Sequence, residues 1–277
     1  MAVGRSSLTA YAATARRVLV RERARNLPQR LRGGEERLVF VVGCPRSGTT
    51  FVGRAIGGLP GFVDFGEVTP WKAALPEGPS AAELRTILER IRRIGLAWGL
   101  RGVEQTPETA HVLGTALEAY PQALAVHVLR DGRDVVCSLL ERGWLNADAE
   151  GRDDARLPYG AEPRFLVEPE RREEFAQMSD ARRCAWAWRR YVEAVRAADA
   201  GDRLLEIRYE GLATVADRLA EFLGANVTST HRAMDTFRDS SIGRWHNELT
   251  TAQLADVEAE AGSVLAELGY MRSADAS

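Results

Sequence analysis

Residues 43–50, Gly-Cys-Pro-Arg-Ser-Gly-Thr-Thr, carry the first recognisable chemistry. An apolar run, LVFVVG at 38–43, leads into them, and a stretch with helical spacing at 48–56 follows. A glycine turn between a strand and a helix aims backbone N–H groups at an anion, and the helix dipole favours negative charge there. Pro45 stiffens the turn, Gly48 lets the backbone approach a ligand, and Ser47, Thr49 and Thr50 add hydroxyl donors. The spacing from Gly43 to Thr50 fits the nucleoside-triphosphatase loop, G-x-x-x-x-G-K-[ST], but Thr49 stands at the lysine position. That argues against ordinary ATP or GTP hydrolysis. Arg46 supplies positive charge from a different place.

A second anion site can be read at 130–142. Arg130 closes another apolar run, ALAVHVL at 123–129, and Ser138 lies eight residues on, in the next helical stretch. Arg142 is four residues beyond Ser138, hence on the same helix face. Arginine and serine donors suit a phosphate dianion. Arg130–Asp131 and Arg133–Asp134 could equally be surface ion pairs. That reading is preferred for Arg133 and Asp134, but not for Arg130 and Ser138.

These segments bear a family resemblance. VVGCPRSGTT resembles the 5′-phosphosulfate loop of sulfotransferases that use 3′-phosphoadenosine 5′-phosphosulfate (PAPS), and LRDGRDVVCS resembles their 3′-phosphate motif. RYEGL at 208–212 is similar to the segment whose tyrosine, here Tyr209, approaches the nucleotide. SSIGRWHNELT at 240–250 is similar to the loop covering its phosphate end, and WAWRRYV at 186–192 to a core helix. The last has a plain alternative, since Trp188, Tyr191, Val192 and Val195 make an ordinary apolar stripe; Trp245 could likewise be packing. The resemblance spans about residues 38–270 and is nearest the tyrosylprotein and bacterial branch.

The resemblance implies a P-loop-type three-layer α/β/α fold. PAPS would be co-substrate and 3′-phosphoadenosine 5′-phosphate (PAP) product, with no metal required. Binding would fall to Pro45, Arg46, Ser47, Gly48, Thr49, Thr50, Arg130, Ser138, Arg142, Tyr209, Ser241, Gly243, Arg244 and Trp245. Sulfuryl transfer needs a base for the acceptor hydroxyl and donors for the charge on the leaving phosphate. PGFVDFGEVTPW at 60–71 resembles the segment holding a catalytic glutamate after glycine, which makes Glu67 the base and Asp64 its rival. Arg46 would join the loop's donors in catalysis. One departure stands out: VEQTPET places Gln105 where the branch carries lysine. Arg46 or Lys72 could compensate. The rivals to a sulfotransferase are a P-loop kinase-like phosphotransferase and a catalytically inactive nucleotide-binding protein.

Several elements must hold these residues. Apolar runs at 38–43, 123–129 and 204–208, with shorter candidates at 62–65 and around Val103, alternate with helical patterns at 81–96, 108–120, 134–142 and 212–223. Thr250-x-x-Gln253 reads as a capping box opening a last helix to 268. Such alternation predicts an open parallel sheet with helices on both faces and a ligand beyond the carboxyl ends of its strands.

Residues 1–37 form a basic amphipathic arm with nine arginines and three glutamates, one route to a homodimer; residues 38–277 form the main domain. Residues 146–180, with ten acidic and five basic residues, read as an insertion or lid on the acceptor side. That charge would repel the acidic peptides modified by tyrosine-directed relatives, so a small-molecule or sugar hydroxyl is the expected acceptor.

The 277 residues are 45% hydrophobic and 27% charged, which fits a globular chain. A net charge of -2 excludes a globally basic nucleic-acid binder. Lys72 is the only lysine among 37 basic residues, an arginine bias that suggests a GC-rich, bacterial genome. No stretch has the ~20 apolar residues of a membrane span, and no apolar signal core begins the chain. Three cysteines without C-x-x-C spacing lead to the cytoplasm as the expected compartment. His111, His127, His231 and His246 lack metal-ligand spacing, and His127 reads as a hydrogen-bonded core residue.

Overall fold

The computed structural model describes residues 37–67, 80–82, 85, 100–145 and 171–271. The arm at 1–36, the segment at 146–170, Lys72 and most of the 81–96 pattern lie outside the described residues.

Five strands form one parallel sheet: β1 Leu38–Val42, β2 Phe62–Gly66, β3 Arg101–Glu104, β4 Leu124–Leu129 and β5 Leu204–Arg208. Their order is β2-β3-β1-β4-β5. Val39 pairs with Val103 on one side of β1, and Val41 with Val126 on the other. Alternation of side chains along β1 divides the core into two layers. Leu38, Phe40 and Val42 enter one cluster; Val39 and Val41 enter the other. All five are buried, which explains why β1 is a continuous apolar run rather than an alternating one.

On one face lie α1 (Thr49–Gly57), α6 (Ala216–Leu223) and α7 (Val227–Met234). On the other lie α2 (Leu113–Ala119), α3 (Gly132–Arg142), α5 (Asp180–Ala197) and α9 (Thr251–Glu267). The short helices α4 (Arg172–Gln177) and α8 (Trp245–Glu248) complete the described set. The expected sheet covered on both faces is thus present.

Two helices differ from their periodicity. The 108–120 pattern divides into a 3-10 segment, Pro107–Val112, and α2; the 212–223 pattern divides into a 3-10 segment, Tyr209–Thr214, and α6. Apolar spacing marks the buried face but cannot distinguish a tight turn from an α-turn where tertiary contacts decide the winding. The capping box opening α9 is complete: Gln253 N donates to Thr250 Oγ1 at 3.2 Å, and Thr250 N donates to Gln253 Oε1 at 2.9 Å.

The chain adds β2 and β3 on one side of β1, then crosses to place β4 and β5 on the other. Connections leaving the sheet there diverge and open a crevice at the carboxyl ends of β1 and β4. The 43–50 loop follows β1 and Arg130 follows β4, so sheet order alone brings both anion motifs to one place.

Candidate functional site

The cleft has a volume of about 420 Å³ and takes its walls from four parts of the chain. The loop and first turn of α1 supply Arg46, Gly48, Thr49, Thr50 and Phe51. Arg130 and Ser138 come from the end of β4 and from α3, and Tyr209 from the end of β5. Thr236, Phe237, Arg238, Ser241 and Arg244 come from the chain after α7.

The loop is built for close approach. Ser47 N donates to Cys44 O at 3.0 Å to close its turn, and Ser47 and Thr49 are buried. Arg46 has φ 76°, a left-handed conformation rare for a non-glycine residue and concentrated at functional sites. Gly48 has φ 95°, and a Cβ there would lie 2.7 Å from Tyr209 Cδ2. Gly48→Ala is therefore expected to destabilise the protein by about 2 kcal/mol or more, through strain and displacement of the tyrosine ring, read as a lowered Tm.

Arg46 Nε donates to Ser138 Oγ at 2.9 Å, linking the two anion motifs directly. Arg130 is 4% exposed. Its guanidinium donates to Arg46 O at 3.1 Å and to Ser241 O at 2.5 Å, and stands 4.3 Å over the Tyr209 ring. Its Nε is buried without a hydrogen-bond partner, and the Asp134 carboxylate is 3.9 Å away. A buried guanidinium that is incompletely satisfied and faces a cleft is a strong site for an anion. Trp188 Nε1 donates to Arg130 O at 3.0 Å, so this core tryptophan also fixes the backbone that presents the arginine.

Asp134 and Arg133 are not a surface pair. Asp134 is 1% exposed and accepts from Gly243 N and Trp245 N at 2.8 and 3.1 Å. Arg133 pairs instead with Asp131 at 2.7 Å and stacks 3.8 Å over the Trp245 ring. Helix pitch turns positions 133 and 134 about 100° apart, so the two side chains face different neighbours.

Of the residues expected at the site, Arg46, Gly48, Thr49, Thr50, Arg130, Ser138, Tyr209, Ser241 and Arg244 line the cleft together. Pro45 and Ser47 are buried beneath it. Gly243 and Trp245 are held by Asp134 outside its lining, and Arg142 is exposed on the last turn of α3, also outside it. Arg244 is additionally tied to Glu248 at 2.7 Å and Glu141 at 3.2 Å.

Glu67 is exposed immediately beyond the edge strand β2, at the carboxyl end of the sheet, the end that also carries the loop and Arg130. Asp64, its rival, spends Oδ1 on Gly66 N at 2.7 Å, within the bulge that ends β2. Gln105 follows β3, is buried, and packs across Gly53 of α1; its Oε1 has no hydrogen-bond partner. His127 Nδ1 lies 3.0 Å from Glu206, the cross-strand neighbour whose carboxyl it holds below the usual range.

Phe51, Thr236, Phe237 and Arg238 were missed by sequence reasoning. Phe51 and Phe237 stand 5.5 Å apart, and Tyr209 meets Phe237 edge-on at 5.0 Å. Phe51 directly follows the loop, the only local signal; Phe237 joins it from 186 residues away.

All three cysteines are buried, and none is in a disulfide. Burial, then the Glu248 carboxylate, pushes the Cys137 thiol up to about 12, and burial raises Cys184 further, so neither is a thiolate nucleophile. Among the described residues no cluster of His, Cys, Asp or Glu could hold a metal ion, and no helix is long and apolar enough to cross a membrane.

A parallel α/β sheet with a glycine loop after its central strand and a basic side chain after the adjoining one places groups suited to an anion at one end of the sheet. Solved structures narrow the fold. The chain is similar to the sulfotransferase domain of the curacin biosynthetic pathway, with TM-score 0.53 and 13% identity over 83% of this chain and 98% of that one. It is similar to the sulfotransferase domain of the Synechococcus PCC 7002 olefin synthase, with TM-score 0.51 and 16% identity over 84% and 95%. It also matches sulfotransferase STF9 from Mycobacterium avium, with TM-score 0.50 and 14% identity over 87% and 79%. The chain has the sulfotransferase fold. No protein-family model and no curated protein matches its sequence.

Proposed function

We propose that the protein transfers the sulfuryl group of PAPS to a hydroxyl acceptor and releases PAP. The observation that carries this reading is the Arg46–Ser138 hydrogen bond. It joins a loop suited to the 5′-phosphosulfate and a helix suited to the 3′-phosphate in one cleft, as a ligand with both groups requires. The Phe51 and Phe237 rings beside them offer faces for the adenine.

Each group then has a task. Glu67 takes the proton of the acceptor hydroxyl as its oxygen attacks sulfur. The loop holds the sulfuryl group in line between attacking and leaving oxygens. Arg46 and the loop's donors stabilise the negative charge passing to the phosphate of PAP. Gln105 offers a neutral amide where the related branch has lysine, so the cationic part falls to Arg46. The acidic balance of residues 146–180 favours a small-molecule or sugar hydroxyl as acceptor over an acidic peptide. Buried thiols outside any disulfide suit a reducing cytoplasm.

Calorimetric titration with PAP, AMP, and ATP with Mg²⁺ tests the reading. Tight binding of PAP that requires its 3′-phosphate is the expected result; preference for ATP with Mg²⁺ points to a kinase and overturns it. PAP binding without turnover across an acceptor panel points to an inactive nucleotide-binding protein. Phe237→Ala is expected to weaken PAP by about tenfold, since one base–aromatic stack contributes ~1–3 kcal/mol. The same titration checks it.

A further inference from the structure

We infer that Asp134 is a positioning residue that fastens the chain at 241–245 into the wall of the cleft. This rests on the PAPS reading above. The segment carries Ser241 and Arg244 into the cleft, yet it has little apolar anchorage: its Ile242 is 38% exposed. Polar ties hold it instead. Asp134 Oδ2 accepts from Gly243 N at 2.8 Å and Oδ1 from Trp245 N at 3.1 Å. Arg130 binds Ser241 O, Tyr209 Oη lies 2.9 Å from Ser241 Oγ, and Arg133 stacks on Trp245.

The carboxylate is central for a physical reason. At 1% exposure it has lost its water, and two backbone N–H groups of the segment plus the Arg130 guanidinium at 3.9 Å replace that solvation. Bonds to an ionised acceptor are about twice as strong as neutral ones. One buried charge therefore fixes both the segment's backbone and the environment of the arginine proposed for the 3′-phosphate. Asp134 does not line the cleft, so it acts through these groups and not on the ligand.

The test is Asp134→Asn in the full chain, with amide hydrogen exchange, PAP calorimetry and steady-state kinetics in PAPS. Asparagine keeps the size but can satisfy only one of the two N–H groups through its single oxygen. The expected result is faster exchange at Gly243 and Trp245, PAP Kd and PAPS KM raised about tenfold, and kcat within about twofold of the parent. Unchanged exchange overturns the inference, as does faster exchange with unchanged Kd and KM. A fall in kcat with KM unmoved assigns a merely structural role. Asp134→Glu keeps the charge and displaces the acceptors, so it should fall between parent and Asn; parental affinity there would show that charge alone suffices. Failure of the parent protein to bind PAP sinks the PAPS reading and the ligand part of this inference, while exchange still reports whether Asp134 holds the segment.

Discussion

Arg130→Ala is expected to weaken PAP binding by at least about a hundredfold while AMP binding changes far less, because removing a buried charge-assisted contact to a dianion costs ~3 kcal/mol or more. The side chain is nearly inaccessible, its Nε is unsatisfied, and its nearest carboxylate is 3.9 Å away. A phosphate entering the cleft completes this arginine's coordination instead of competing with an existing close ion pair. AMP lacks the 3′-phosphate, so its binding isolates that contribution. Because Arg130 also ties Arg46 O and Ser241 O, some loss of stability accompanies the change, and a parallel thermal melt separates the two effects. Arg130→Lys should recover only part of the affinity, since an ammonium keeps the charge without the planar fork. PAP affinity within threefold of the parent in Arg130→Ala would remove this arginine from the 3′-phosphate site.

Glu67→Gln is expected to lower turnover by about 10²- to 10⁴-fold while PAP affinity stays within about twofold, as loss of a general base without loss of nucleotide contacts demands. Glutamine keeps the shape and one acceptor but cannot take a proton. The position permits the role: Glu67 lies past the end of β2, exposed, and outside the lining of the cleft. Asp64→Asn is the matched control. That carboxylate already accepts from Gly66 N, so its loss should disturb the β2 bulge and leave a larger share of turnover. The measurement is single-turnover transfer from PAPS to an acceptor found by screening. Parental rates in Glu67→Gln would reassign the base; equal losses in both variants would point to the shape of the turn instead.

Much of this protein is legible in its sequence because the relevant physics is local. A buried parallel strand must be apolar on both faces, and 38–42 and 124–129 show this plainly. A glycine-bearing turn between a strand and a helix aims backbone N–H groups outward, which is why 43–50 stands out as a candidate anion loop. Ser138 falls eight residues after Arg130, in the helix that β4 leads into, so the spacing marks the two as one candidate site. The capping box at Thr250 is a four-residue code and forms as read.

What the sequence left open depends on order in space. The 3-10 winding of Pro107–Val112 follows from its packing between β1 and α5, not from its own spacing. Asp134 reads as a surface charge until Gly243 and Trp245, more than a hundred residues later, fold against it. Phe237 is one apolar residue among many until α7 delivers it to Phe51. Arg46 and Ser138 are 92 positions apart, and no periodicity encodes their hydrogen bond. Only the β3-β1-β4 order sets the loop beside the arginine-bearing strand end, because neighbouring strands lie ~5 Å apart while the chain between them is free to take many routes. Local pattern determined which residues can bind an anion; the sheet order decided that two such sites face the same cleft.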